Sequence, residues 1–219
     1  MTSRQDQQLR LNVASGRYPI DGFVNVDGSL FLRLAKIYPL IKVFLSHRHR
    51  KPIEEYRAAM KRGTYRIHNC LRPLPYPEQS VDHILCSHFL EHVYRDQAER
   101  ICANFFRVLK PDGTLHVIVP DLRAQVNSYN DGKRDADEFL DYSILSQPKR
   151  PSLIFRCFEV TGAFGFQHRW MYDRCSLVKL LAEAGFEVVS ENNTASREHR
   201  AGDPGDVNIA LKKSAGGTR

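Results

Sequence analysis

No stretch of the chain reaches the roughly 18 uncharged apolar residues that a membrane-spanning helix requires. Residues 1–10 are polar and lack the apolar segment of a secretory signal peptide, so we expect a cytoplasmic protein. The sequence contains no internal repeat. With 42% hydrophobic and 26% charged residues, it is typical of a globular domain with a core of its own.

Cysteine is scarce, and its spacing does not resemble that of a metal site. The number of cysteines is odd, which argues against a complete disulfide framework. We therefore predict free thiols in a reducing compartment, most of them packed in the core as small hydrophobic side chains. The five are Cys70, Cys86, Cys102, Cys157 and Cys175.

Acidic residues are few in one segment, residues 29–63. It contains nine Lys or Arg and two Glu, a net charge of +7, so it accounts for the net charge of the whole chain. Residues 30–45 of this segment are strongly apolar, and residues 47–51 are strongly basic.

Three interpretations of this basic segment stay open. It is a helical lid on the domain, a peripheral contact with an anionic membrane at the inner face, or a contact with a polyanion such as nucleic acid. Apolar positions surround the predicted helix almost completely, which favours the lid.

Strand and helix patterns alternate along the chain. The clearest helix has apolar residues at helical spacing from Ala98 to Leu109, a start at Asp96 and Glu99, and a stop at 111–113. A second helix begins with Asp173 as its N-cap and is followed by Gly185. Strand patterns lie at 9–14, 23–27, 65–68, 82–87, 114–119 (ended by Pro120), 186–190 and 207–211.

This alternation predicts an α/β fold, a doubly wound and mostly parallel sheet with helices on both faces. The last two strands have no helix between them, which predicts an antiparallel C-terminal edge hairpin. We predict one domain over residues 1–214, with the insertion at 29–63, an acceptor-side insertion at 122–171 and a disordered tail at 215–219.

Ligands of doubly wound sheets bind at the carboxyl ends of the strands. The first strand is followed by the small residues Ala14, Ser15 and Gly16, which allow a ligand to lie against the backbone. The second strand ends at Asp27, whose carboxylate can accept hydrogen bonds from two ribose hydroxyls.

Five stretches together resemble the class I S-adenosylmethionine-dependent methyltransferases, with their Rossmann-like sheet. These are Leu11-Asn-Val-Ala-Ser-Gly16, Gly22-Phe-Val-Asn-Val-Asp27, the segment His68 to Asp82, Ser87-His-Phe-Leu-Glu-His92 and Arg107-Val-Leu-Lys-Pro-Asp-Gly113. The chain is most similar to the bacterial methyltransferases, of the type 11 kind, that are associated with sugar and polysaccharide assembly. The resemblance covers residues 9–121 and 166–191.

The resemblance implies S-adenosyl-L-methionine as the cofactor and assigns its contacts by position. The loop after the first strand would contact the methionine part, Asp27 the ribose and Asn69 the adenine amino group. Ser87 and His88 would line the site of methyl transfer. The predicted cofactor-binding residues are Asn12, Ala14, Ser15, Gly16, Asp27, Asn69 and Ser87.

Two departures from the family pattern support an alternative function. Asn69 stands where the family usually has Asp, and Ala14 and Ser15 stand where glycine or cysteine is common. The alternative is a catalytically weak or inactive relative that binds the cofactor or acts as a scaffold.

Histidine is the side chain best suited to remove a proton from a hydroxyl acceptor near neutral pH. His88 follows the fourth strand, and His168 precedes the second helix, where the family often has a histidine. We predict these two as the catalytic residues.

The stretch from His88 to His92 also matches the H-x-x-E-H pattern of some zinc peptidases. Because it overlaps the exit of the fourth strand in a fold that accounts for the whole chain, we expect no metal site from this pattern.

The predicted function is therefore methyl transfer to a small-molecule or glycan acceptor at a hydroxyl, within polysaccharide biosynthesis. A nucleic-acid substrate is disfavoured, because the fourth strand is followed by Ser87-His-Phe-Leu90 and not by the Asp/Asn-Pro-Pro-Tyr motif of nucleobase methylation.

Overall fold

The structure, a computed structural model, describes residues 8–45, 47–143, 167–191 and 205–214. Seven strands form one sheet in the order β3-β2-β1-β4-β5-β7-β6. The strands are β1 Arg10–Val13, β2 Val24–Asp27, β3 Tyr65–Ile67, β4 Val81–Ser87, β5 Leu109–Pro120, β6 Phe186–Glu191 and β7 Asp206–Lys213.

Strands β1 to β5 pair in parallel, and β7 pairs antiparallel with both β5 and β6. The predicted fold class is therefore confirmed, including the C-terminal antiparallel pair. The strand order reverses next to β1, so the carboxyl ends of β1 and β4 flank the crevice where such sheets bind ligands.

The helices among the described residues are two in the basic segment and four after β3. They are α1 Leu30–Ile41, α2 His47–Arg62, α3 Arg95–Val108, α4 Leu122–Asn130, α5 Ala136–Tyr142 and α6 Arg174–Glu183, with short 3-10 turns at Lys42–Phe44 and Leu90–His92.

The core lies between the sheet and the apolar faces of α3 and α6. Leu11 and Val13 of β1 pack in the same cluster as Ile101 and Phe105 of α3 and Leu177 of α6. The apolar residues of α3, which recur at 3.6-residue spacing in the sequence, thus face the sheet as predicted. Asp173 is the N-cap of α6 and accepts a hydrogen bond from the Ser176 backbone N–H at 2.8 Å.

Two predicted boundaries of α3 were wrong. The helix begins at Arg95, so Asp96 lies in its first turn instead of capping it, and the Gln97 side chain accepts from the Tyr94 backbone N–H at 3.0 Å. The helix also ends at Val108, before the Pro-Asp-Gly stop at 111–113, because Leu109 already pairs with Val81 of β4.

Strand β5 is correspondingly longer than predicted. Residues 109–113 belong to it, and the β4–β5 register shifts between Val81 and His83, so this part of the strand is irregular. Such an irregularity tolerates Pro111, which cannot donate to a regular ladder. Pro120 also lies within β5, as its last residue.

The two helices of the basic segment pack against each other. Ala35 and Tyr38 of α1 are buried with Ile53 of α2. In the described part of the chain, no helix is both long and apolar enough to span a bilayer.

Of the cysteines in the described residues, Cys70, Cys86 and Cys102 are free and buried, as predicted, whereas Cys175 is free and exposed. Cys157 lies outside the described residues, as do 144–166 of the predicted acceptor-side insertion and the predicted tail 215–219.

The turn after α6 depends on Gly185. Its φ of +97° lies in the left-handed region, and a Cβ there would stand 2.7 Å from Cε2 of Phe106. Gly185→Ala therefore combines backbone strain with overpacking and is expected to lower the free energy of unfolding by about 2–4 kcal/mol. Urea denaturation measures this.

Gly132 provides the matched control, because its φ is +67° but nothing lies within 4 Å of an added Cβ. Gly132→Ala should cost only the backbone strain, about 1–2 kcal/mol. Equal costs for the two variants would contradict the packing role of Gly185.

Candidate active site

The loop after β1 turns sharply because two of its residues have a left-handed backbone. Ala14 and Gly16 both have φ of +55°, and Ser15 donates its backbone N–H to the Val26 carbonyl at 3.3 Å. This conformation is unusual for a residue with a Cβ, such as Ala14. Residues held in sparsely populated regions cluster at ligand-binding loops.

Asp27 at the end of β2 fixes this loop. Its Oδ2 accepts the backbone N–H of Gly16 at 2.9 Å, and its Oδ1 accepts that of Ser29 at 2.7 Å. Burial raises the pKa of Asp27, and these two hydrogen bonds oppose the rise. Each carboxylate oxygen keeps one lone pair, so the geometry is compatible with the predicted contacts to ribose hydroxyls.

A tyrosine of the basic segment lies beside the loop after β1. The Tyr56 hydroxyl of α2 lies 4.0 Å from the position a Cβ on Gly16 would take, and burial near Asp27 raises the pKa of Tyr56 to about 12. Tyr65 of β3 donates to the Gly16 carbonyl at 2.9 Å, and Arg17 forms an ion pair with Glu55 of α2. Tyr56 and Tyr65 were not predicted from the sequence, because neither lies in a stretch that resembles the family motifs.

The other predicted cofactor residues differ in how their side chains are used. Asn12 donates to Asn25 Oδ1 at 2.9 Å and to the Tyr18 carbonyl at 3.1 Å, so its amide joins β1 to β2. Asn69 follows β3, and its Oδ1 accepts the backbone N–H of Leu71 at 3.0 Å. Ser87 ends β4, and its buried Oγ has no hydrogen-bond partner within the described residues.

His88 lies directly after β4 with φ of +51°, between two carboxylates. Its Nδ1 is 3.5 Å from Glu91 Oε1 and its Nε2 is 3.3 Å from Asp206 Oδ2. Burial alone would lower the pKa of His88, but the hydrogen bonds and charges of the two carboxylates outweigh it and raise the pKa to about 9. The imidazole is therefore positively charged at neutral pH.

A ring nitrogen of His168 lies within 4.8 Å of a Glu91 carboxylate oxygen, and its ring contacts the ring of His92 edge to face with centroids 4.8 Å apart. Burial lowers the pKa of His168, and this effect outweighs the opposing charge of Glu91. His168 is therefore neutral at pH 7. The fold thus brings the two predicted catalytic histidines to one cluster, although 80 positions separate them in the chain.

Comparison with known proteins agrees with this geometry. Residues 27–117 match the model of a methyltransferase domain. A search of the curated proteins gives no significant match.

Solved structures with the same fold cover nearly the whole chain. A protein of Pyrococcus horikoshii is 14% identical with a TM-score of 0.52, over 96% of this chain and 84% of that one. An S-adenosylmethionine-dependent methyltransferase of Methanosarcina mazei is 18% identical with a TM-score of 0.52, over 95% and 93%. At these identities the likeness establishes the fold, and the domain match indicates an enzyme that transfers methyl groups with S-adenosylmethionine as its cofactor.

The raised pKa of Asp27 leads to a prediction for cofactor binding. If Asp27 binds the ribose as the sequence predicts, only its carboxylate form can accept from both the loop and the ribose, so affinity for S-adenosylmethionine should fall on acidification, beginning at higher pH than for an ordinary aspartate. Asp27→Asn should bind about 10–100-fold more weakly, since hydrogen bonds to charged groups are worth about 1.5–3 kcal/mol. It should also lose this pH dependence.

Calorimetric titration with S-adenosylmethionine between about pH 4 and pH 8 measures both effects. Asp21→Asn is the control, because Asp21 is exposed in the turn before β2, away from the carboxyl edge. Unchanged affinity in Asp27→Asn would contradict the assignment.

Proposed function

We propose that this enzyme transfers the methyl group of S-adenosylmethionine to a hydroxyl of a small-molecule or glycan acceptor. The observation that supports this most strongly is the arrangement at one sheet edge. The Gly16–Asp27 pair lies at the ends of β1 and β2. The histidine cluster (His88, His92 and His168) lies beside the end of β4, which flanks the same crevice.

The proposed reaction requires little chemistry from the protein itself. The acceptor oxygen forms a bond to the methyl carbon, the sulfur–carbon bond breaks, and sulfur keeps the electron pair, which gives S-adenosylhomocysteine. Holding donor and acceptor in line contributes about 7–11 kcal/mol to lowering the barrier. A hydroxyl must also lose its proton, and His168, whose pKa burial lowers, is proposed to accept it.

Cofactor-binding residues and acceptor-side residues divide along the sheet edge. Ser15, Gly16 and Asp27 are proposed to hold the donor, together with the neighbouring Ala14, Asn12, Asn69 and Ser87. His88 and His168 are proposed to act on the acceptor side. A role in polysaccharide assembly rests on the sequence resemblance, and we propose a glycan as the acceptor on that basis.

His168→Ala tests the acceptor-side assignment. We expect kcat to fall by about 100-fold or more, which is the usual size of a proton-transfer contribution, while the Kd for S-adenosylmethionine changes by less than about twofold. Radiolabelled methyl transfer to hydroxylated sugars and calorimetry provide the two measurements.

His83→Gln serves as the control for this experiment. His83 lies near the start of β4 beside Thr114, with ring nitrogen and hydroxyl 2.6 Å apart, far along the strand from His88. An equal loss of turnover and cofactor affinity in His168→Ala would contradict the assignment. Failure of the wild-type protein to bind S-adenosylmethionine would instead favour the scaffold alternative.

We further propose that the end of α1 and the following turn dock on an anionic membrane surface. Leu40 is 76% exposed and Phe44 is 87% exposed, and Ile37 and Val43 beside them are also exposed. Basic side chains flank these apolar ones, namely the exposed Arg33, Lys36 and Lys42. Apolar side chains surrounded by Lys and Arg are the combination that interfacial binding requires.

Sedimentation with vesicles tests this surface. The protein should bind phosphatidylglycerol-containing vesicles and not phosphatidylcholine vesicles, and added salt should weaken binding. Leu40→Ser with Phe44→Ser should reduce binding by at least about tenfold, because each removes apolar area worth more than about 1 kcal/mol.

Val189→Ser is the matched control, since Val189 is an exposed apolar residue of β6, 54% accessible, outside this surface. Equal binding to charged and neutral vesicles, or equal binding by the double variant, would contradict membrane docking.

A further inference from the structure

Three side chains that commonly bind transition metals converge beside β4. Glu91 and His92 belong to the 3-10 turn Leu90–His92, and His168 comes from the segment before α6. Each offers a ligand atom, and these atoms all lie within 4.8 Å of one another. Two histidines and one carboxylate form a recurrent ligand set for catalytic zinc and non-haem iron.

The Glu91 carboxylate is deeply buried and poorly compensated. It is 1% exposed, and apart from the 3.5 Å contact with His88 Nδ1 neither oxygen has a hydrogen-bond partner in the described part of the chain. Its nearest charged neighbour is His88, at 3.5 Å, and His88 is shared with Asp206. Burying a carboxylate with so few polar contacts is costly, and a bound cation would offset that cost.

Both histidines are oriented as metal ligands usually are. His92 Nδ1 lies 3.4 Å from the Gln167 carbonyl, which leaves Nε2 facing Glu91 at 4.0 Å. His168 forms a hydrogen bond with the backbone of Ser143, while its buried Nδ1 has no partner among the residues described. A ligating histidine almost always donates its other ring N–H to a carbonyl, a carboxylate or water.

The two chain segments that carry these ligands are held together by the backbone. The Glu91 carbonyl accepts the N–H of Arg169 at 2.7 Å and that of Trp170 at 3.2 Å. His168 is therefore fixed next to Glu91 before any ligand binds. His92 is 22% exposed, whereas His168 is 7% exposed, so within the described residues the cluster is more open to solvent at His92 than at His168.

We propose that Glu91, His92 and His168 bind one divalent transition-metal ion, with zinc as the probe ion. A tetrahedral zinc ion with bonds of about 2.0–2.2 Å holds its ligand atoms roughly 3.3–3.5 Å apart. The side chains would have to close by about 1–1.5 Å from their present separation, which small side-chain rotations can supply. The fourth position would face the open side of the cluster.

This site differs from the zinc-peptidase pattern in the same stretch. That pattern makes His88 a ligand, whereas here His88 lies between Glu91 and Asp206 and the third ligand is the distant His168. No metal site was expected from the sequence, because the local motif does not include the distant His168.

The role of the ion rests on the proposed function. An acceptor hydroxyl bound in the fourth position would lose its proton more readily, because a Lewis acid stabilises the oxyanion. His168 would then contribute to removal of the proton as a ligand of the ion.

The binding test uses the full chain without a polyhistidine tag, stripped with a chelator and titrated with zinc against a chromophoric competitor. We expect one ion per chain, and at least 100-fold weaker binding in His92→Ala and in His168→Ala. His83→Gln should bind as the wild type does. Calorimetry with S-adenosylmethionine verifies that each variant keeps its folded donor site.

Cobalt substitution identifies the ligands, since nitrogen and oxygen ligands give no thiolate charge-transfer band. Zinc binding that survives both histidine substitutions, or a thiolate band in the cobalt spectrum, would overturn the site. Stoichiometric zinc on an enzyme whose turnover is unaffected by chelation would overturn the Lewis-acid role alone. Stoichiometric zinc without methyl transfer to any hydroxyl would contradict the proposed function and leave the metal site intact.

Discussion

The candidate site depends on one buried carboxylate. Asp27 accepts the backbone N–H of Gly16 with one oxygen and that of Ser29 with the other, so it joins the loop after β1 to the start of α1. The left-handed turn at Ala14 and Gly16 is held in place through this contact and through the Tyr65 hydrogen bond. The shape of the crevice between β1 and β4 therefore follows from an interaction that also leaves lone pairs for a ligand.

The strands were predictable because each depends on local pattern. Short apolar or alternating patterns in the sequence predicted β1, β2 and β4. The absence of a helix between the last two strands predicted the antiparallel pair. The end of α3 was not predictable, because the pairing of Leu109 with Val81 is a long-range contact that overrides the Pro-Asp-Gly signal. Propensity identifies a stop signal, but tertiary pairing decides where the helix ends.

The candidate site was predictable only where ligand contacts follow strand ends in the chain. The Gly16–Asp27 contact follows from two motifs eleven residues apart. The approach of Tyr56 to Gly16 depends on how α2 packs, and the meeting of Glu91 with His168 depends on hydrogen bonds from Arg169 and Trp170. Neither arrangement has a local signal, because spacing along the chain does not encode contacts between distant segments.

A crystal structure of the chain with S-adenosylhomocysteine tests the central claim most directly. The account predicts that both ribose hydroxyls lie within hydrogen-bond distance of the Asp27 carboxylate, with the amino-acid part against the loop of Ala14 to Gly16. The sulfur should point toward Ser87 and the histidine cluster. A cofactor bound elsewhere, or a ribose without contact to Asp27, would contradict it.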